Sequence, residues 1–212
     1  MSQDELFDIF DEHMIVIGTD TRQNVHKHGY WHQTFHCWIC DRSGDGEPLI
    51  LLQLRHPDKD TFPGYLDISC AGHLLAGETP EDGVRELEEE LGVTAKLQDL
   101  VYSGHVQQEY VTEQLKDREC THIYIYECSK PLEEYVFQKS EISGLFQCTV
   151  KEYMDLIRGG VTAVTMQGVL YEEQQDELRR VSRLVTAEDI TPQSSQYYEV
   201  LFRALADYVG DL

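Results

Sequence analysis

The chain has 212 residues, with 39 acidic and 17 basic side chains and a formal net charge of −22. That length supports one substantial core with a small appendage, and the charge argues against a nucleic-acid backbone or an anionic membrane surface as partner. No apolar run approaches membrane-spanning length and no charged-then-apolar N-terminal segment points to secretion, so a cytoplasmic location is expected.

In chain order, Leu6–Phe10 and Met14–Ile17 read as a β-hairpin around an acidic turn. Thr34–Cys40 alternates and predicts a strand, Arg42–Pro48 a turn, and Leu49–Leu54 a buried strand. Lys59–Tyr65, with Pro63-Gly64, is expected as a loop leading into a short strand at Asp67–Cys70. Further strands are expected near Lys96–Gly104, Val106–Val111, His122–Cys128 and Gly144–Gln147, and a helix over Val150–Gly159. Met166–Val185 is polar and helical in pattern, with Glu172, Glu173, Asp176, Glu177, Arg179 and Arg180. Ser195–Leu212 predicts a second amphipathic helix, with Tyr198, Leu201, Phe202, Leu205 and Val209 apolar. The pattern fits an α+β fold with a mixed β-sheet in an α/β/α sandwich. Residues 1–160 are expected as the main unit and 161–212 as a C-terminal helical extension, packed on it or mediating a homodimer. Cys37 and Cys40 form a CxxC, but three residues apart on a strand they point to opposite faces, so buried thiols are expected rather than a metal or redox site.

The most informative stretch is Gly72–Val93, GHLLAGETPEDGVRELEEELGV. RELEEEL predicts a helix whose Glu86, Glu89 and Glu90 stand at i, i+3 and i+4, on one face. Clustered carboxylates repel one another unless a cation sits among them, and hard divalent ions with oxygen ligands serve that role. Val84, Leu87 and Leu91 supply the apolar side. Thr79 is the expected N-cap, with Pro80 in the first helical position and Asp82 completing a capping box; Gly92 is the expected left-handed C-cap. Composition alone favours a solvated acidic face. Gly72, the isolated Glu78 and Arg85 directly before Glu86 point instead to a built site.

Gly72, Glu78, Arg85, Glu86, Leu87, Glu89, Glu90, Gly92 and Val93 resemble the signature of the Nudix hydrolases, with six residues rather than seven between Glu78 and Arg85. HKHGYWHQTFHCWI, LLQLRHPDKDTFPGYLDIS and ECTHIYIYE are similar to the subgroup related to type I isopentenyl-diphosphate isomerase, over roughly residues 5 to 150. The resemblance implies a Nudix fold that cleaves a diphosphate linkage in a small phosphorylated substrate of nucleoside or isoprenoid type, with Mg²⁺ or Mn²⁺ as cofactor. It implies metal ligation by Glu86, Glu89 and Glu90, with the Gly72 carbonyl. The general base is one of those glutamates or Glu141. Arg85 is expected to orient a signature carboxylate, Glu78 or Glu89. Arg55 and Lys59 match positions that contact diphosphate in the isomerase relatives. His26, His32 and His73, with Glu119 and Asp117, match a second metal site in those relatives; the alternative is that they are surface or hydrogen-bonding groups.

Two rival readings stand beside hydrolysis. In the isomerase relatives a cysteine directly precedes the signature glycine, where this chain has Ala71 with Cys70 one residue earlier, and a tryptophan lies late in the chain, whereas Trp31 and Trp38 both lie early. A ligand-binding module without turnover is the other.

Overall fold

Eleven residues of unbroken strand, Trp31–Asp41, form the spine of the molecule (β3), because their alternation gives both faces of the sheet something to bury. The computed structural model describes residues 4–44, 46–112 and 116–210. Before the spine come the hairpin β1 (Leu6–Phe10) and β2 (Val16–Thr21), then helix α1 (Arg22–His28). After it come β4 (Leu49–Arg55), β5 (Leu66–Asp67), β6 (Cys70–His73) and helix α2 (Arg85–Leu91). β7 (Leu100–Val111), β8 (Lys116–Glu127), β9 (Ile142–Thr149) and helix α3 (Val150–Ile157) follow. The chain finishes with β10 (Val164–Glu172), β11 (Glu177–Val185) and helix α4 (Ser195–Val209).

The strands run β11-β10-β9-β4-β3-β1-β2, with β5 on β4, β6 and β8 on β3, and β7 on β8. β3 and β8 pair in parallel, while the other strand pairs are antiparallel, so the sheet is mixed. β3 meets β4 only at Cys40–Ile50 and Asp41–Leu49, and takes β6 as neighbour from Thr34 to Cys37. The sheet therefore splits beside the middle of β3. One face buries Trp38, Cys40, Leu52, Ile123, Phe146, Leu201 and Leu205 beneath α3 and α4. The other buries Phe35, Cys37, Ile39, Leu51, Leu87 and Leu91 beneath α2. Cys37 and Cys40 fall in different cores, as a three-residue separation on a strand requires.

The expected strands are present with three changes. The strand expected at Met14–Ile17 runs Val16–Thr21, and that expected at Asp67–Cys70 is broken at Ile68 and Ser69 into β5 on β4 and β6 on β3. Val106–Val111 and the end of Lys96–Gly104 form the single strand β7, irregular between Tyr102 and Gly104, while Leu97–Asp99 is a 3₁₀ turn. The tail departs further. Met166–Val185, expected as helix, is the β10–β11 hairpin, paired over its full length from Val164–Val185 to Glu172–Glu177. Its buried positions Val164, Met166 and Gly168 recur with period two, and β-branched residues favour the strand. The charges that imitate a helical face sit at the hairpin turn and on the exposed β11 edge. Gly168 lies so close to Leu145 and Phe146 that a Cβ there would collide with both. β10 extends the sheet from β9, so the tail beyond residue 160 is partly sheet, and α4 is its one α-helix among the described residues. The apolar face of α4 (Tyr197, Leu201, Leu205, Tyr208) is buried in the chain's own core rather than left for a second copy. Among the described residues, no helix is long and apolar enough to cross a membrane.

Because α4 shares one core with the sheet, Leu201→Ala is expected to cost about 2–5 kcal/mol. Urea unfolding should show this as a lower midpoint of a single transition; a separate transition for the tail would contradict the shared core.

Candidate active site

The signature helix starts later than its sequence implies. Thr79 and Asp82 do close on each other, the Thr79 amide and hydroxyl both donating to Asp82 Oδ2 at 2.8 Å. That turn leads into a 3₁₀ turn, Asp82–Val84, and α2 begins only at Arg85, so Thr79 is not its N-cap. A 3₁₀ turn rises about 2.0 Å per residue against about 1.5 Å in an α-helix, so three residues cover the height of roughly four. That 3₁₀ turn lies within the short spacing between Glu78 and Arg85. Gly83 makes the turn compatible with β3, since a Cβ there would collide with Phe35. Gly92 ends the helix at φ 61°, as expected for a left-handed cap.

Arg85 lies at the centre of the signature carboxylates. Its Nε and Nη2 donate to the two oxygens of Glu78 at 2.8 and 2.9 Å, and Nη2 also reaches the His73 carbonyl at 3.1 Å. Nη1 donates to Glu86 Oε1 at 2.5 Å and to Glu89 Oε2 at 3.1 Å. The three helix carboxylates are not equivalent. Glu86 and Glu90 turn inward, 8% and 4% exposed, while the Glu89 side chain is 56% exposed. Glu86 packs on Gly72, where any Cβ would overlap its carboxyl group, and Glu90 accepts from the Ala71 amide at 3.1 Å. Burial pushes Glu86 up to about 7 although Arg85 opposes it. Burial, then the neighbouring Glu86, pushes Glu90 up to about 8. Two inward carboxylates against one guanidinium leave negative charge uncompensated, which suits a hard divalent cation.

A second cluster is built by four separate elements. His26 comes from α1, His32 from β3, His73 from β6, and Asp117 and Glu119 from β8. Ligand atoms of His26, His32 and His73 lie within 4.8 Å of one another, as do those of His32, Asp117 and Glu119. His26 Nδ1 faces the Arg22 carbonyl at 3.0 Å and His32 Nδ1 the Tyr30 carbonyl at 3.1 Å. A carbonyl only accepts, so in the neutral rings both Nδ1 atoms carry the hydrogen and both Nε2 atoms present lone pairs. Those lone pairs face Asp117 Oδ1 at 3.5 and 3.6 Å. His32 Nε2 and Asp117 Oδ1 are buried without a hydrogen-bond partner. Burial holds His32 neutral, down to about 4. Acceptors converging on an acceptor need a cation between them, and imidazole with carboxylate fits a divalent transition metal or magnesium. His73 differs: Arg22 Nη1 donates to its Nδ1 at 3.0 Å, which turns Nε2 toward Glu119 Oε1 at 3.9 Å.

Both clusters border one open cavity of about 910 Å³ at the split in the sheet, with Gly72, Glu90, His73 and Glu119 in its wall. Arg55 and Lys59 line it too, each with a partner. Arg55 Nη1 donates to buried Asp67 at 2.6 Å, and its other side is held by the Thr61 carbonyl and hydroxyl, both at 3.0 Å. Lys59 is ion-paired with Glu141. Burial opposes ionisation of Glu141, yet Lys59 holds its carboxyl below the usual range. The structure thus groups Gly72, Glu90, Glu141, Arg55, Lys59, His26, His73 and Glu119 around the cavity, with Glu86 and Arg85 just behind and Glu89 outside. Sequence reasoning missed Arg22 and Lys27, which line the cavity from a helix that was not expected, and Thr191 to Ser194, which close it from the tail. Thr191 donates to Asp67 Oδ1 at 2.6 Å and so braces the group that holds Arg55. The Arg22 and Lys27 signal was available: an Asp-Thr-Arg cap followed by histidines and a glycine.

A mixed sheet carries a carboxylate-bearing helix packed on a glycine, beside a cavity that both acidic and basic side chains line. The chain belongs to the Nudix family: residues 30–164 match the NUDIX domain, and the protein is a Nudix hydrolase. It is 39% identical over 205 residues to an uncharacterised Nudix hydrolase of Clostridium acetobutylicum, covering 97% of this chain and 98% of that one. It is 37% identical over 141 residues to Nudix hydrolase 3 of Arabidopsis thaliana, covering 64% of this chain and 18% of that one. An isopentenyl-diphosphate Delta-isomerase of Serratia proteamaculans is 34% identical over 123 residues, 58% of this chain and 65% of that one. A solved Deinococcus radiodurans protein has the same fold, with a TM-score of 0.53 and 22% identity over 74% of this chain and 90% of that one.

The raised Glu86 and Glu90 give a stability signature. A carboxyl whose folded pKa lies above its unfolded one is protonated longer in the native state, so stability is lost as pH rises from about 4.5 through about 7 to 8. The metal-free melting temperature should therefore fall across that window. Mg²⁺ or Mn²⁺ should restore more of it at pH 8 than at pH 5.5, and much less in Glu86→Gln, as read by scanning calorimetry.

Proposed function

We propose that this Nudix hydrolase cleaves a diphosphate linkage in a small phosphorylated substrate with Mg²⁺ or Mn²⁺ held at Glu86, Glu90, the Gly72 carbonyl and, from the exposed side, Glu89. The observation that carries the reading is the pair of buried carboxylates Glu86, packed on Gly72, and Glu90, bonded to the Ala71 amide, the second lining the cavity that Arg55 and Lys59 share. A divalent ion bound there lowers the pKa of an attacking water and neutralises phosphate oxygens. The chain's own groups do the rest. Arg55, clamped by Asp67 and Thr61, offers a fixed fork to phosphate oxygens, and Lys59 adds a point charge. Glu141 keeps Lys59 in place and is one candidate proton acceptor. Glu90 lines the cavity and is the other candidate proton acceptor. Arg85 fixes Glu78, Glu86 and Glu89 and does not line the cavity. The cluster of His26, His32 and Asp117, with His73 and Glu119 beside it, is proposed to hold a second divalent ion.

Isomerisation is disfavoured by where two side chains sit. Ala71, not a cysteine, lines the cavity before Gly72, and Cys70 is buried in the core on the α2 face. Trp38 is buried as well.

Turnover of nucleoside diphosphates and triphosphates, nucleotide sugars and isopentenyl diphosphate, with Mg²⁺ or Mn²⁺, tests the reading. Glu90→Gln should lower kcat by roughly 10²–10⁴-fold if it takes the proton, and Glu89→Gln should cost less because it is exposed. Metal-dependent phosphate release that is indifferent to Glu86→Gln and Glu90→Gln would reject the assignment, and isomerised product would restore the rival.

A further inference from the structure

A guanidinium carries five N–H hydrogens in a rigid plane, and Arg55 has already committed several of them. Its Nε and Nη2 donate to the Thr61 carbonyl and hydroxyl, and Nη1 donates to Asp67 Oδ2 at 2.6 Å. Among the described residues, one hydrogen on each Nη is left, and the side chain lines the cavity. Those two hydrogens meet phosphate oxygens only if the guanidinium plane is aimed at them. Thr61 sits among the turns between β4 and β5, so the firmer holder is Asp67, buried at the end of β5.

Asp67 is in turn held at both oxygens. Oδ2 takes Arg55, while Oδ1 accepts from the Ile68 amide at 2.9 Å and from the Thr191 hydroxyl at 2.6 Å. Burial opposes ionisation of Asp67, yet Arg55, the Thr191 hydroxyl and the Ile68 amide hold its carboxyl below the usual range. The terminal torsion of an aspartate is broad, so bonds to its oxygens, not the rotamer, set the carboxylate plane. The Ile68 amide belongs to the next residue and moves with Asp67. The Thr191 hydroxyl is anchored elsewhere. The Thr191 amide donates to the Leu66 carbonyl at 2.8 Å, and Ile190 bridges to Leu66. Pro192 follows and disfavours a helical backbone at Thr191. Gln193 accepts from Gln108 of β7 at 2.9 Å, and α4 starts two residues later. Thr191 is buried, and it lies beyond the 30–164 stretch that matches the NUDIX domain.

Resting on the hydrolase reading above, we propose that Thr191 is a positioning residue that acts through Asp67 to aim Arg55 at the phosphate oxygens of the substrate. Without its hydroxyl, Oδ1 keeps the Ile68 amide alone and the carboxylate is free to turn. Arg55 follows Asp67, and its two remaining hydrogens lose their common target. The tail thus sets diphosphate affinity without touching the substrate.

Calorimetric titration with methylenediphosphonate and Mg²⁺ tests this, because that diphosphate analogue binds without being cleaved. Thr191→Val and Thr191→Ala, which remove the hydroxyl and differ in bulk, should each weaken binding about 10-fold. Thr191→Ser, which restores the donor, should recover most of the affinity. Arg55→Ala should weaken binding as well, and adding Thr191→Val to it should change nothing further. In turnover assays, Thr191→Val should raise KM by a similar factor at nearly constant kcat. A Thr191→Val effect that adds in full to Arg55→Ala, or that Thr191→Ser does not recover, would mark a purely structural role and overturn the proposal. Unchanged binding in both hydroxyl-free variants, or no binding by wild type, would overturn it too. Failure of turnover on every diphosphate, alongside the expected binding pattern, would count against the hydrolytic reading and leave Thr191 supported.

Discussion

Two inward carboxylates, Glu86 and Glu90, lie against a backbone bare of side chain at Gly72, with one guanidinium to balance them. That imbalance organises much of what surrounds it. Gly72 must be glycine because the Glu86 carboxyl occupies the space of its Cβ. Arg85 spreads one charge over Glu78, Glu86 and Glu89, which fixes the helix end but leaves Glu90 to the Ala71 amide. Burying such a set without a cation is costly. The fold tolerates it because Leu87 and Leu91 anchor the other side of α2 in the core.

The cavity that this charge faces exists because the sheet splits. β3 leaves β4 after two paired residues and takes up β6, and the opening is lined by side chains from β3, β4, β6 and β8. The tail then completes the wall. Ile190 bridges to Leu66, Thr191 braces Asp67 and thereby Arg55, and Tyr197 meets His36 and Trp38. Residues beyond the NUDIX stretch thus set the orientation of groups within it. Fold stability and site geometry are joined through α4, whose buried face is shared with the same sheet.

Much of this was legible in the chain, for identifiable reasons. The carboxylate helix announced itself through spacing and through Gly72, Glu78 and Arg85, and the strands through alternation. What spacing could not show is which carboxylates turn inward: Glu89 shares a helical face with Glu86 and Glu90 yet stands outside, since the boundary of burial is set by β6 rather than by the helix. Nor could it show that a 3₁₀ turn fills the short loop, because Gly83 there packs on Phe35, 48 residues away in sequence. The β10–β11 hairpin was misread because charges at its turn and on its exposed edge imitate a helical face, while the period-two burial of Val164, Met166 and Gly168 is too short to dominate. The Thr191–Asp67–Arg55 chain of contacts spans distant segments, and no local pattern encodes it.

Anomalous scattering from crystals soaked in Mn²⁺ tests the central claim most directly. The account predicts one peak bounded by Glu86, Glu90 and the Gly72 carbonyl, and a second among His26, His32 and Asp117. Manganese confined to surface acids, with Glu86 and Glu90 unligated and Arg85 still bridging, would contradict it.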